Sequence, residues 1–330
     1  MKAIWYEQPG PAAEVLTYGE MAKPEPEAGA VRVRVHVSGI NPSDTKFRSG
    51  WMGLRQPYAR TVPHNDGAGV IDAVGEGIPP SRLGERVWIY EAQRGSAFGT
   101  AAEWVTVPSH KAVKLPDDMS FGAGASLGVP AMTAHFLVFS DGPVEGQSIL
   151  VHGGAGAVGM YTLQLAKWGG VKTAIATVSS PEKADIARQM GADHTINYRQ
   201  EDVVSRVREL VGKAGCHRIA DVALNANIAV NAKLISPNGV IATYESGDAP
   251  TVALPFYDLL YKNATLRTVL VYAMSAAAHA AAVRDLTTMA TAGRLQHRIA
   301  QRFPLAEAAV AHEAVEQGQQ IGKVILDLSH

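Results

Sequence analysis

Residues Ser148–Gly159 read Ser-Ile-Leu-Val-His-Gly-Gly-Ala-Gly-Ala-Val-Gly, and this stretch decides the class of fold. Its beginning, Ser148–His152, predicts a buried strand, and the pattern that continues to about Trp168 predicts a helix. Between the two, Gly154–Gly159 satisfies G-x-G-x-x-G, a turn in which backbone N–H groups approach a pyrophosphate at a helix N-terminus. A tight turn without a ligand is the alternative. The strand before the motif and the helix that begins within it favour a nucleotide site.

On the carboxyl side of this motif the chain alternates strands with helices. Strands are predicted at Lys172–Val178, Ile219–Ala223 and Gly239–Tyr244. Helices are predicted to begin near Pro181 and to cover Val203–Val211. Because parallel strands need helical crossovers, this alternation predicts an α/β fold with a doubly wound parallel sheet.

On the amino side the sequence is β-rich. Residues Val31–Val37 alternate apolar and polar side chains, and shorter strands are predicted at Gly69–Val74, Arg86–Tyr90 and Glu103–Val107. Strands of this kind without long helices between them indicate a partly open barrel or sandwich. A last strand, Val324–Leu328, is predicted to return to this first domain.

The composition argues against several functional classes. Thirty Lys and Arg residues against 31 Asp and Glu residues give a formal net charge of -1, which argues against a nucleic-acid or membrane surface. The single cysteine, Cys216, excludes an intramolecular disulfide and any site built from several thiolates. Since no apolar run suits a signal peptide or a membrane span, we expect a cytoplasmic protein.

The end of the second strand of the nucleotide domain bears on which nucleotide is bound. NAD sites commonly place Asp or Glu there, to accept from the ribose 2′-OH. Residues Ala176–Ser180 contain no carboxylate. Ser179 and Ser180 instead offer hydroxyl groups to a 2′-phosphate, and Lys183 offers a positive charge. The two serines also suit a helix cap, but the sequence favours NADPH over NADH.

A set of segments in consistent order covers nearly the whole chain: Gly39–Thr45, Phe47–Gly50, Pro63–Val70, Leu83–Val87, Gly128–Ala134, Val151–Gly159, Ala192–Arg199 and Gly322–Leu326. Together they resemble the zeta-crystallin-like quinone oxidoreductases, the zinc-free branch of the medium-chain dehydrogenase/reductase superfamily. The resemblance implies a GroES-like, β-rich catalytic domain, 1–122 completed by 268–330, and a Rossmann NADPH-binding domain, 123–267. It also implies a small-molecule substrate and a homo-oligomer, either a dimer or a tetramer.

The resemblance further implies which residues contact NADPH. Asn41 and Thr133 are expected near the nicotinamide. The remaining contacts, along the pyrophosphate, the adenosine and the rest of the groove, are expected from Ala155, Gly156, Ala157, Val158, Val178, Ser179, Lys183, Tyr198, Asn227, Tyr244, Ser246, Val269, Leu270 and Val271.

Zinc-dependent alcohol dehydrogenases share this architecture and are the nearest competing class. Their first cysteine position reads Asn41 here, and their histidine position reads Asn65. One cysteine cannot form their four-cysteine lobe, so we expect no metal. Without a metal to polarise a simple carbonyl group, a conjugated quinone or enone is the expected hydride acceptor.

The active-site segment departs from the family at its proton donor. Positions that often carry tyrosine read Lys46 and Met52. Lys46 and Tyr58 are the candidate donors, with an exposed, solvated lysine as the alternative for Lys46. Asn41 and Asp44 are expected to position groups.

Three functions remain open at this stage. The first is an NADPH-dependent quinone oxidoreductase. The second is an NADPH-dependent enone or 2-enoyl-thioester reductase, for which Arg48, Arg55 and Arg60 are candidates for a basic entry patch. The third is a non-catalytic NADPH-binding protein. The resemblance favours them in that order.

Overall fold

The computed structural model describes residues 1–54, 57–247 and 249–328. The chain folds into two compact units, Met1–Pro130 with Val283–His330, and Ala131–Ala282. The predicted division, 1–122 with 268–330 and 123–267, likewise joins both ends of the chain in one domain, and its boundaries fall earlier in the chain than those of the units.

The described residues form strands and helices throughout. The strands are β1 (Lys2–Trp5), β2 (Thr17–Glu20), β3 (Ala30–Ile40), β4 (Asp66–Val74), β5 (Arg86–Ile89), β6 (Trp104–Pro108), β7 (Ala112–Lys114), β8 (Ser148–His152), β9 (Thr173–Val178), β10 (His194–Asn197), β11 (Cys216–Asp221), β12 (Ile235–Thr243), β13 (Thr265–Thr268), β14 (Ile299–Pro304) and β15 (Lys323–Asp327). The helices are α1 (Ala12–Val15), α2 (Pro42–Ser49), α3 (Phe121–Gly124), α4 (Gly128–Phe139), α5 (Ala157–Trp168), α6 (Pro181–Gln189), α7 (Val203–Val211), α8 (Leu224–Leu234), α9 (Phe256–Leu260), α10 (Ala276–Thr291) and α11 (Ala308–Gln317).

The second unit contains a six-stranded parallel sheet in the order β10-β9-β8-β11-β12-β13. The chain runs outward from β8 to β10, and then returns to the centre and runs outward from β11 to β13. This reversal confirms the predicted doubly wound sheet and places its switch point between β8 and β11. The central strands are largely buried, with Leu150, Ile175 and Ile219 at 0% exposure, because helices cover both faces of such a sheet.

The first unit is built around β3. The strand order is β14-β15-β3-β4-β5-β7, with β6 also pairing β3, and a separate ribbon joins β1 to β2. Val31, Val33 and Val35 of β3 are buried, as the predicted alternation requires. The strand continues beyond the predicted end at Val37 because β4 and β15 pair with its last residues, and the polar Ser38 there is buried with hydrogen-bond partners of its own. The last strand, β15, returns to this unit as predicted, and it pairs antiparallel with β3.

Several elements were not predicted from the sequence, among them the short strands β1, β2, β7, β10, β13 and β14. Predicted boundaries also moved: β11 ends at Asp221, not at Ala223, because the Asp221 carboxylate accepts from Ala223 N over 2.7 Å and turns the chain. Among the described residues, none of the helices combines the length and the apolar character needed to cross a membrane.

Candidate functional site

The glycine-rich turn of the second unit leaves donors for a ligand. Gly156 is the N-cap of α5 and has no side chain to accept from the first turn. The N–H groups of Ala157 and Val158 are therefore left for an anion, which the helix dipole also favours. A Cβ on Gly159 would lie 2.3 Å from Gly153 O, so this close turn requires glycine there. The turn fits the pyrophosphate of a dinucleotide, although Ala155 beside it is buried.

The predicted cofactor residues of this unit follow the carboxyl ends of its strands. Val178 ends β9, Tyr198 follows β10, and Val269–Val271 follow β13. All six strands are parallel, so these ends lie along the same edge of the sheet, with Asn197 opposite Val178. Ligands of doubly wound sheets bind at this edge.

At the ends of β9 and β10, polar groups gather that suit a 2′-phosphate. Ser180 Oγ accepts from Lys183 N over 3.3 Å, so Ser180 caps α6, as the alternative interpretation of this serine required. Ser179 and the Lys183 side chain are half-buried, and Tyr198 is exposed. Arg199 is also exposed beside Tyr198 and was missed as a candidate. Its guanidinium suits a phosphate, and the arginine in the segment Ala192–Arg199 was the available signal.

Other predicted groove residues are engaged inside the unit. Asn227 Nδ2 donates to Asp221 Oδ1 over 2.9 Å, and Ser246 Oγ donates to Ala249 O over 2.6 Å. Burial raises the pKa of Tyr244, and so do the nearby carboxylates. To contact a cofactor, Asn227 and Ser246 would have to give up or share the hydrogen bonds that they make within the unit. Their roles at the cofactor, like that of Tyr244, stay predictions.

The three apolar residues after β13 differ in exposure, and Thr133 lies on a buried helix. Val269 and Val271 are buried, whereas Leu270 between them is 58% exposed. Thr133 is buried in α4. Of these residues, Leu270 presents the most surface to a ligand.

In the first unit, two asparagines and a buried carboxyl group meet at the start of α2. Asn41 N donates to Asp44 Oδ2 over 2.8 Å, and Asn65 Nδ2 donates to Asp44 Oδ1 over 2.9 Å. Burial raises the pKa of Asp44 to about 6, and the charge of Asp66 adds to the shift. Asp44 thus holds both residues that stand at the zinc-ligand positions of the related alcohol dehydrogenases.

A buried ion pair adjoins this cluster. Lys323 Nζ lies 2.9 Å from Asp66 Oδ2, and Asn41 Nδ2 donates to the same oxygen over 2.8 Å. Val129 N donates to Asp66 Oδ1 over 2.8 Å. A Cβ on Gly128 would lie 2.1 Å from that oxygen, so this approach requires glycine. Asp66 and Lys323 lie within the family segments, but their sequence context predicted a role for neither.

His64 takes no part in this cluster. Its ring nitrogens contact Ser38 Oγ and His312 Nε2, each over 2.8 Å. Its φ of 81° lies in the left-handed region, which is strained for a residue with a side chain. Asn65, and not His64, therefore occupies the place beside Asp44.

The donor set at Asn41 does not fit zinc. Zinc sites in proteins use thiolate, imidazole or carboxylate ligands. Here two of the side chains are carboxamides, and Asp66 already contacts the Lys323 ammonium. Across 1–54, 57–247 and 249–328, no three His, Cys, Asp or Glu side chains are grouped so as to hold a metal ion.

The two candidate proton donors lie in the same unit. Lys46 Nζ sits 4.3 Å from the centre of the Trp51 ring, in a cation–π contact. Tyr58 is half-buried, and Met52, at a position that often carries tyrosine, is 54% exposed. Lys46 is thus held by an aromatic ring and is not simply solvated.

Two family profiles match the chain. The profile described as alcohol dehydrogenase GroES-like domain matches residues 27–117, and that described as zinc-binding dehydrogenase matches residues 157–288. The first match lies in the unit built around β3, and the second lies in the unit with the parallel sheet except for residues 283–288.

Similar proteins match over almost the full chain. A quinone oxidoreductase from Pseudomonas aeruginosa is 32% identical over 317 residues, which cover 95% of this chain and 95% of the relative. A 2-haloacrylate reductase from a Burkholderia species is 30% identical over an alignment of 341 residues, which covers 99% of this chain and 98% of the relative. The structure of Escherichia coli quinone oxidoreductase complexed with NADPH has a TM-score of 0.86 at 25% identity, covering 99% of this chain and 100% of that one.

Proposed function

The chain belongs to the zeta-crystallin-like quinone oxidoreductases of the medium-chain dehydrogenase/reductase superfamily, and from that premise we propose that it reduces a quinone by direct hydride transfer. It is an oxidoreductase of this family, and its cofactor is NADPH. When bound, NADPH supplies the hydride. The α5 N-terminus would hold the pyrophosphate, and Ser179 with Lys183 would hold the 2′-phosphate.

The observation that carries the proposal is the Lys323–Asp66 contact beside Asn41. An ammonium there, with carboxamides at the ligand positions, leaves no Lewis acid to polarise a simple carbonyl group. A quinone spreads the incoming charge over its conjugated oxygens and needs less assistance. The chain's own residues then contribute by positioning the reactants and by donating hydrogen bonds, with Asn41 at the nicotinamide end.

A second candidate is reduction of an activated C=C bond, favoured by the 2-haloacrylate reductase relative. The basic entry patch predicted for a nucleotide-bearing thioester is weaker in the structure than the sequence indicates. Arg48 is 1% exposed and pairs with Glu316, and Arg60 pairs with Glu7 over 2.8 Å. Arg55 lies outside the described residues. A small acid is therefore the preferred form of this alternative.

NADPH oxidation against a panel of acceptors tests the proposal. The panel is 1,4-benzoquinone, 9,10-phenanthrenequinone, 2-chloroacrylate and crotonyl-CoA, with NADH run in parallel and with EDTA as a control. We expect NADPH-dependent quinone turnover that EDTA does not change, with hydroquinone as the product. Turnover of 2-chloroacrylate or crotonyl-CoA alone, with a saturated product, would replace quinone reduction by C=C reduction.

A further inference from the structure

The carboxamide of Asn41 is held between two oppositely charged side chains inside the first unit. Its Oδ1 accepts from the ammonium of Lys323, and its Nδ2 donates to Asp66 Oδ2 over 2.8 Å. Lys323 Nζ lies 2.9 Å from that same oxygen, so the three groups form a closed triangle. Asn41 is 3% exposed, Asp66 0% and Lys323 4%, which removes the triangle from water.

The two charges permit one orientation of the carboxamide. A half-turn would place its carbonyl oxygen against the Asp66 carboxylate and its NH₂ group against the Lys323 ammonium. Two charge-assisted hydrogen bonds would become two repulsive contacts in a region of low dielectric. Asp66 cannot turn to relieve them, because its other oxygen accepts from Val129 N over 2.8 Å.

The orientation also decides what Asn41 can offer to a ligand. Its carbonyl oxygen is taken by Lys323, and one of its two N–H bonds is taken by Asp66. The second N–H remains outside the triangle, so Asn41 keeps a donor for a ligand, while its oxygen already accepts from an ammonium. A donor is what the negative charge that develops on a reduced acceptor requires.

We propose that Lys323 and Asp66 are positioning residues for hydride transfer, which fix the Asn41 carboxamide with its free N–H as a donor to the reacting ligands. This rests on the proposed function, in which Asn41 acts at the nicotinamide end. Stability gives little reason to keep the pair, because apolar replacements of buried ion pairs are often neutral or stabilising. An orienting role explains why these charges are buried beside an amide.

The central test is the double variant Lys323→Met/Asp66→Asn, which removes both charges together, so that neither partner is left buried without the other. We expect kcat with NADPH and 1,4-benzoquinone to fall about tenfold or more, with the Kd for NADPH within about twofold of the wild-type value. The control is Arg218→Met/Asp141→Asn, which removes an ion pair 3.6 Å apart in the second unit, between the buried Arg218 and the exposed Asp141. Equal losses of kcat in the two double variants would overturn the proposal.

Non-additivity separates positioning from a general structural role. If the pair acts through Asn41, then adding Lys323→Met/Asp66→Asn to an Asn41→Ala variant changes kcat no further. If the fold losses of kcat from Asn41→Ala and from the double variant multiply when they are combined, the pair acts by another route, and the proposal is overturned.

A third measurement needs no turnover, so it distinguishes failure of this inference from failure of the proposed function. In protein labelled with ¹⁵N-asparagine, the signal lost in Asn41→Ala identifies the Asn41 side-chain NH₂. We expect one of its protons to be shifted downfield by the carboxylate in the wild type and to return to the ordinary position in the double variant. An NH₂ signal that does not change would refute the fixed orientation of the Asn41 carboxamide. A wild type that oxidises NADPH with none of the acceptors would refute the proposed function only.

Discussion

The imidazole rings of His64 and His312 face each other inside the first unit, with their Nε2 atoms 2.8 Å apart. The Thr100 hydroxyl donates to Asp66 O, and Ser38 Oγ lies 2.7 Å from Thr100 Oγ1. Ser38 must therefore donate to Thr100 and accept from Nδ1–H of His64. His312 then donates from Nε2–H to the bare Nε2 of His64, so the pair is neutral when the protein is folded.

This neutral pair predicts acid sensitivity. Burial lowers the pKa of His64 and takes that of His312 to about 3, whereas unfolded histidines gain protons near pH 6.5. The unfolded state binds more protons below pH 6.5, so stability is full above that pH and falls as the pH drops. The variant His312→Gln keeps an N–H donor but cannot gain this proton. Between about pH 7.5 and about pH 5, we expect its free energy of unfolding to fall by about 2 kcal/mol less than that of the wild type. Urea denaturation measures this; equal losses would contradict it, and exposed His110→Gln is the control.

Asp44 titrates with the opposite sign. Its folded pKa of about 6 lies above its ordinary value of 3.8, so between these values the folded state holds a proton that the unfolded state has lost. The contribution of Asp44 to the stability of the wild type therefore falls as the pH rises from about 4 to about 6, and it stays constant at higher pH. We expect the stability of Asp44→Asn relative to the wild type to rise across this window. Denaturant titrations at several pH values measure the difference, with Asp118→Asn as an exposed control; a difference independent of pH would disprove it.

The end of β9 predicts how cofactor preference can be changed. Ser179→Asp places a carboxylate where a 2′-phosphate is expected, and it would repel that phosphate but accept from a 2′-OH. We expect the Kd for NADPH to rise about tenfold or more and that for NADH to stay the same or fall. Fluorescence titration of both nucleotides measures this. Ser179→Asn controls for size without charge, and an NADPH affinity that Ser179→Asp leaves intact would move the phosphate site elsewhere.

Lys46 is predicted to serve turnover and not cofactor binding. Its ammonium lies 4.3 Å from the centre of the Trp51 ring, which holds the charge in place. We expect Lys46→Met to lower kcat for quinone reduction and to leave the Kd for NADPH unchanged. Lys46→Arg is the control because it keeps a cation over the ring. Unaltered turnover in Lys46→Met would remove this lysine from the mechanism.

Local pattern was sufficient for much of the nucleotide domain. Ser148–His152 and the glycine turn after it are encoded in consecutive residues, and so is the Ser180 cap of α6, whose partner lies only three residues away. The alternation of Val31–Val37 likewise revealed the strand at the centre of the first unit. Short edge strands such as β10 carry too few buried residues to show a period.

The ion pair of the candidate site could not be predicted from local sequence pattern. Asp66 and Lys323 lie 257 residues apart in the chain, and nothing near either residue signals its partner. Lys323 begins a strand and precedes three apolar residues, so its sequence context resembles a solvated strand end. Only the antiparallel pairing of β15 with β3 carries the ammonium to Asn41.

That pairing has a consequence for the order in which the protein is made. Because β15 supplies a neighbour for β3 in the first unit, this sheet cannot close until residues 323–327 have left the ribosome. The parallel sheet of the second unit needs nothing beyond Thr268 and can form earlier. Until then Asp66 has no ammonium beside it, and burying it would cost desolvation without compensation. During synthesis, we therefore expect Asp66 to stay hydrated until Lys323 reaches it.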